Sequence, residues 1–184
     1  MSENFYIGIL NGGRSIRMGN PKSMIIHDGL TFAEIIINEC LKVTEMSFFI
    51  GNSQLPSKLE DRRIPDSYSI GPIGGFRSAY NFYSGNWVIL AVDMPLIDVL
   101  LISGLIEVSL ISGYCIPFNK RLSFFEPLCA GYSGEVMKLI ASSGKSSIQS
   151  IIKEHNLEGD GSFFEKHRNK IISFNTESEL RYLK

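Results

Sequence analysis

Two stretches of the chain, FYIGIL at residues 5–10 and WVILAV at 87–92, are apolar at nearly every position. A strand with one face in water alternates apolar and polar residues, so runs without alternation predict strands covered on both faces, which is the situation of a parallel sheet. Between them, Thr31 followed by Glu34 forms a capping-box signal ahead of the helical pattern FAEIIINECLK, and MSFFIG reads as a further strand. This makes one β-loop-α-β unit. A second is predicted from RRIPD as a short strand, GPIGG as a glycine-rich turn, FRSAYNFY as a helix and Trp87–Val92 as a strand. Beyond it the pattern predicts a helix over Val99–Ile111, strands near Tyr114–Phe118 and Phe125–Tyr132, and helices after Gly134 and Ser146. The expected fold is α/β, a three-layer sandwich with a mostly parallel, doubly wound, Rossmann-like sheet. Ligands of such sheets sit beyond the carboxyl ends of the strands, where the loop after residue 10 and Asp93 both fall.

The 184 residues, 44% of them hydrophobic, suffice for one continuous core, so 1–184 is expected to be a single domain without internal repeats. A formal net charge of −1 excludes a global electrostatic footprint for nucleic acid and leaves any anion site local. Cys40, Cys115 and Cys129 are odd in number and lack a C-x-x-C pair, which speaks against a disulfide framework or a zinc site and for a reducing cytoplasm. The apolar region 87–111 is interrupted by Asp93, Pro95, Asp98 and Glu107, and the first apolar run is too short for a signal peptide. No membrane segment is expected.

The loop after the first run, LNGGRSIRMGNPK, holds three glycines, two arginines and a lysine. It is not a dinucleotide fingerprint, because the glycines that follow Gly8 are Gly12 and Gly13. Nor is it a Walker loop: Gly19 precedes Asn20, and the GKS at Gly144–Ser146 has Leu139 where the leading glycine belongs. What the composition supports is a chain bare enough at Gly12 and Gly13 to bring backbone N–H groups to an anion, with Arg14, Arg17 and Lys22 supplying charge. A polyphosphate is the expected guest.

LNGGRSIRMGNPK, IPDSYSIGPIGGF, AVDMPLI, EPLCAGY and SFNTESEL stand in an order that resembles the molybdenum cofactor guanylyltransferases, themselves similar to the sugar-nucleotide-type nucleotidyltransferases. The resemblance covers nearly the whole chain. It implies transfer of GMP from GTP to the terminal phosphate of molybdopterin with Mg²⁺, releasing pyrophosphate, and suggests molybdoenzymes or cofactor-delivery proteins as partners. By the same resemblance the glycine-rich loop maps onto Leu10, Asn11, Gly12 and Gly13. The phosphate-contacting lysine maps onto Lys22, the motif's arginine onto Arg17, a nucleotide-contacting aspartate onto Asp66 and the magnesium-binding aspartate onto Asp93. Asn52 falls near a base-contacting asparagine, and of a C-terminal pair of asparagines only Asn175 carries over, Ser173 holding the other place. Asn11 departs from the small apolar residue usual at its position.

The chemistry agrees with these residue types. Nucleotidyl transfer is mainly a problem of positioning and of charge on phosphate oxygens, and a phosphate monoester with a second pKa of about 6 needs no strong general base. His27, His155 and His167 are accordingly expected as surface or turn residues, Cys129 as a small buried hydrophobe, and Glu126 as acceptor-facing or, the preferred reading, a charge at a strand edge. A carboxylate at the carboxyl end of a buried strand can hold Mg²⁺ together with substrate phosphates and water. Two alternatives stay open: a CTP-dependent cytidylyltransferase of the same fold, and a non-catalytic nucleotide-binding module, which would keep Gly12, Gly13 and Lys22 but would not need Asp93.

Overall fold

The computed structural model describes residues 5–12, 21–68, 71–174 and 179. Its centre is a six-stranded sheet built from β1 (Phe5–Leu10), β4 (Ser47–Ile50), β5 (Arg63–Ile64), β6 (Asn86–Ala91), β7 (Tyr114–Cys115) and β10 (Cys129–Tyr132), in the order β5-β4-β1-β6-β10-β7. Strands β5, β4, β1 and β6 run parallel, with Ile7 opposite Val88 and Ile9 opposite Leu90, whereas β10 is antiparallel to both β6 and β7. Two short antiparallel ribbons lie outside the sheet, β2 (Ile26–His27) with β3 (Leu30–Thr31) and β8 (Phe118–Asn119) with β9 (Phe124–Phe125).

The uninterrupted apolar runs have the cause expected of them. In β6, Val88 and Leu90 join one apolar cluster while Trp87 and Ile89 join another, as the two-residue period of a strand dictates. The first cluster is covered by α1 (Phe32–Leu41), α3 (Val99–Ser112) and α6 (Gly161–His167), the second by α2 (Pro72–Phe82), α4 (Gly134–Ser142) and α5 (Ile148–Glu154). Helices therefore stand on both faces, giving the three layers. Helix α1 opens as predicted: the Thr31 hydroxyl accepts from Glu34 N at 3.2 Å, and the Glu34 carboxylate accepts from Thr31 N at 2.7 Å. No helix among the described residues is long and apolar enough to cross a membrane.

Three expectations are revised. GPIGG is not a turn ahead of a helix; only Gly71 has a positive φ, and Pro72 to Gly75 form the first turn of α2, with proline at the position where its missing N–H costs nothing. The two later strands are each broken, at Ile116–Pro117 and at Glu126–Leu128, since neither Pro117 nor Pro127 can donate to a ladder. His167, read as a surface residue, is buried on α6 with its ring against Phe163. Burial, together with Lys166 and Lys170, lowers its pKa and favours the neutral imidazole.

Candidate active site

Beyond the carboxyl ends of β1, β4, β5 and β6 opens a cavity of about 1250 Å³. Leu10, Asn11 and Gly12 enter it from β1, Gly51 and Asn52 from β4, and Asp66 from the segment after β5. Gly71 and Pro72 line it at the start of α2, Asp93 follows β6, and Lys22 reaches it from the far end of the opening loop. The seven described residues predicted to form a site, Leu10, Asn11, Gly12, Lys22, Asn52, Asp66 and Asp93, are thus brought to one cavity from loops that are distant in sequence. Gly13, Arg14, Arg17 and Asn175 lie outside the described residues; Ser173 is on the wall.

Lys22 and Asp93 form the centre. The lysine opens a 3₁₀ turn, Lys22–Met24, anchored by the buried Ser23, whose hydroxyl donates to Gln54 O at 2.6 Å. Its Nζ lies 2.6 Å from Asp93 Oδ2, and the two side chains are only 23% and 16% exposed. Asp93 is held by its own backbone, since its carbonyl accepts from Phe174 N at 2.8 Å. Its second oxygen, Oδ1, is buried and has no hydrogen-bond partner among the described residues. A buried anionic oxygen without a partner is costly, and a hard divalent cation that takes one or two carboxylates and completes its shell with phosphate and water would relieve that cost. Among the described residues no group of three or more His, Cys, Asp or Glu could hold a metal.

The wall around the first strands is stiffened by side chains that tie one loop to the next. The amide of Asn11, itself buried, donates to Ser53 O at 3.0 Å and Gln54 O at 3.4 Å, fastening the loop after β4 to the end of β1. That loop passes so close that a Cβ on Gly51, whose φ is +133°, would stand 2.3 Å from Asn11 O. Only glycine fits there. Asn52 donates to Asp66 O at 2.7 Å and accepts from Asp66 N at 3.2 Å, so its amide shapes the segment that carries Asp66. The Asp66 carboxylate accepts from Tyr68 N at 2.9 Å and Ser78 Oγ at 3.3 Å, and sits on Gly74, where a Cβ would come within 2.8 Å of it.

On the other side of Asp93 the wall comes from the second half of the chain, including Phe124, Glu126, Leu128, Ser147 and Gln149. Glu126 is therefore not a strand-edge charge. Burial, with the Asp93 carboxylate adding to it, pushes its pKa up to about 7. The signal available in the sequence was Pro127, which ends the ladder and turns its neighbour out of the strand. Cys129 fits its expectation: it is fully buried, and burial raises its thiol far above the ordinary range, which leaves it inert as a nucleophile.

Comparison with known proteins places the chain in a family. Residues 7–159 match the family model described as a MobA-like NTP transferase domain. The chain belongs to the MobA-like NTP transferase family. Within the family, a probable molybdenum cofactor guanylyltransferase of Flavobacterium johnsoniae is 32% identical over 73% of this chain and 71% of its own length. A protein of the same description from Thermococcus sibiricus is 31% identical over 72% of this chain and 70% of its own. The fold is that of the molybdopterin-guanine dinucleotide biosynthesis protein A from Archaeoglobus fulgidus, with a TM-score of 0.73 and 18% identity over 96% of this chain and 95% of that one. The family matches bear out the resemblance carried by the sequence motifs, and the fold match bears out the mostly parallel α/β sheet.

Proposed function

We propose that the chain transfers GMP from GTP to the terminal phosphate of molybdopterin and releases pyrophosphate. The observation that carries this reading is the pair at the cavity's centre, a lysine 2.6 Å from a carboxylate whose other oxygen is buried and unpartnered among the described residues, at the strand ends where ligands of such sheets bind. In the reaction an oxygen of the acceptor phosphate forms a bond to the α-phosphorus of GTP as the bond from that phosphorus to the bridging oxygen breaks. The electron pair leaves with pyrophosphate. The acceptor monoester is largely dianionic near neutrality, so the site needs no strong base, and the work is alignment and offsetting of charge.

Asp93 would hold Mg²⁺, which when bound neutralises charge on the phosphate oxygens. Lys22 offsets charge on the triphosphate, assisted by Arg17, while the backbone at Leu10, Asn11, Gly12 and Gly13 cradles it. Asp66 contacts the nucleoside, Asn52 positions the segment that carries Asp66, and Asn175 completes the nucleotide side. Three free, buried thiols suit a reducing cytoplasm, with a molybdoenzyme or a delivery protein receiving the product.

The test offers each of the four nucleoside triphosphates separately to the protein with Mg²⁺ and molybdopterin and resolves the products by chromatography. Guanine dinucleotide should form fastest. Faster product from CTP would move the chain to cytidylyl transfer, and absence of product with every triphosphate despite binding would leave a nucleotide-binding module.

A further inference from the structure

The cavity, at about 1250 Å³, exceeds the roughly 300–1,000 Å³ usual for a single small ligand, and its two ends differ in chemistry. The end built by β1, β4 and the start of α2 offers backbone amides and Lys22. The opposite end offers acceptors. Glu126 makes no hydrogen bond or ion pair through its carboxylate among the described residues, yet its backbone is fixed. Its N–H donates to Pro117 O at 2.8 Å, its carbonyl accepts from Cys129 N at 3.1 Å, and the next carbonyl, Pro127 O, accepts from the buried Tyr132 hydroxyl at 2.8 Å. Gln149, also on the cavity wall, is oriented by its amide: its Nε2 donates to Phe125 O at 2.6 Å, which leaves Oε1 to accept from another group. Beside them Phe124, 44% exposed, lines the wall and stacks on no other ring among the described residues.

A carboxylate on a fixed backbone and an amide oxygen oriented by its own hydrogen bond disfavour a phosphate and select a ligand that presents several N–H groups, and a bare aromatic face beside them favours a flat ring. A pterin has both features, an exocyclic amino group next to a ring N–H on one edge and a planar bicyclic system. We propose that this end of the cavity seats the pterin ring of the acceptor, with Glu126 and Gln149 accepting from its amino and ring N–H edge and Phe124 covering its face. The proposal rests on the transferase reading above and deepens it: it assigns the acceptor's recognition to three residues on the far side of Asp93 from the nucleotide. Guanine carries a similar edge, so the test must follow both ligands.

Hydroxymethylpterin and hydroxymethyl-lumazine, in which oxygen replaces the exocyclic amino group, are titrated by fluorescence into the parent protein, Glu126→Gln and Phe124→Ala. GTP affinity is measured in parallel by calorimetry, melting temperature confirms the fold, and KM for molybdopterin is determined. Loss of a hydrogen bond to a charged group commonly weakens binding by about ten-fold or more. The pterin should therefore bind the parent, weaken by at least about ten-fold in Glu126→Gln and measurably in Phe124→Ala, and outbind the lumazine in the parent by a similar factor, while GTP affinity in both variants stays within about two-fold. The exposed ring of Phe124 keeps that variant folded should Glu126→Gln prove unstable. Failure of the parent to bind the pterin, equal binding of pterin and lumazine, pterin affinity unmoved in both variants, or loss of GTP affinity instead would each overturn the assignment. If Glu126→Gln transfers GMP with an unchanged KM for molybdopterin, the subsite falls and the transferase reading stands. If the parent makes no dinucleotide yet binds the pterin through Glu126, the transferase reading falls and the subsite stands.

Discussion

Replacing Asp93 by asparagine should separate activity from stability. In the parent, Oδ2 pairs with Lys22 at 2.6 Å and Oδ1 is buried without a hydrogen-bond partner among the described residues. Asparagine keeps the shape and still offers Lys22 an oxygen, so the pair weakens from charge-assisted to ion–dipole, a loss of about 1 kcal/mol. Against this, an unpartnered anionic oxygen gives way to an unpartnered neutral amide, which relieves a desolvation cost of similar size, about 1 kcal/mol or more. The two nearly cancel. For a chain of this length about 1 kcal/mol moves Tm by roughly 2–4 °C, so the melting temperature without ligands should stay within about 4 °C of the parent, in either direction. Turnover has no such compensation, because the charge that would hold the cation against the phosphates is gone. Losses of a single electrostatic contact are about 10²–10³ in rate, so residual activity should be at most about one per cent. The assay is a thermal melt of the free protein beside turnover across a magnesium titration. Near-parent turnover with ordinary magnesium dependence would refute the role given to Asp93, and a collapsed melt would show the residue to be a structural turn element instead.

Lys22→Ala should weaken GTP binding by about ten-fold or more and slow turnover, which calorimetry and initial rates would check, since the lysine that offsets triphosphate charge would be gone. Gly51→Ala should cost at least about 2 kcal/mol and raise KM for GTP, because at φ +133° the new methyl would meet Asn11 O at 2.3 Å and push apart two loops of the site; a Tm unchanged by the substitution would count against that packing. Glu34 is held down to about 2 by Lys58 first and by Thr31. A carboxylate with a lowered native pKa contributes stability that is present above its unfolded value and is lost as pH falls through the native one. The Tm advantage of the parent over Glu34→Gln should therefore be full above about pH 5 and shrink steadily below about pH 4.5, and a pH-independent difference would contradict the charged pairing of Glu34 with Lys58 and Thr31.

Much of this architecture was legible because single residues carried the signals. The apolar runs in β1 and β6 announced strands covered on both faces, and Thr31 with Glu34 announced the start of α1. Asp93 was legible as a site residue because a carboxylate that closes such a run stands at the ligand end of the sheet. Its pairing with Lys22, 71 positions away, is a tertiary contact and leaves no local trace. The glycines of GPIGG misled for a physical reason. Gly74 and Gly75 serve close approach, to Asp66 and to Leu10, and their backbones stay helical, so glycine here signals contact where turn geometry was expected. For Glu126 an acceptor-facing reading was open, but a strand-edge charge was preferred because residues 125–132 read as one strand, in which alternation gives no hint that Pro127 splits it. His167 was hidden by its charged neighbours, since α6 is short and only its spacing from Phe163 reveals the inward face. The supporting amides of Asn11 and Asn52 are wholly tertiary: their partners lie on other loops.

The central claim is that this cavity moves a nucleotidyl group from GTP to a phosphate acceptor. The most direct measurement follows radiolabel from GTP carrying it at the α- or at the γ-phosphorus, with molybdopterin and Mg²⁺ present, and asks where each label goes. Label from the α-position should appear in the guanine dinucleotide in step with label from the γ-position in pyrophosphate, both depending on the acceptor. Label from the γ-position in inorganic phosphate, formed equally without molybdopterin, would contradict the account.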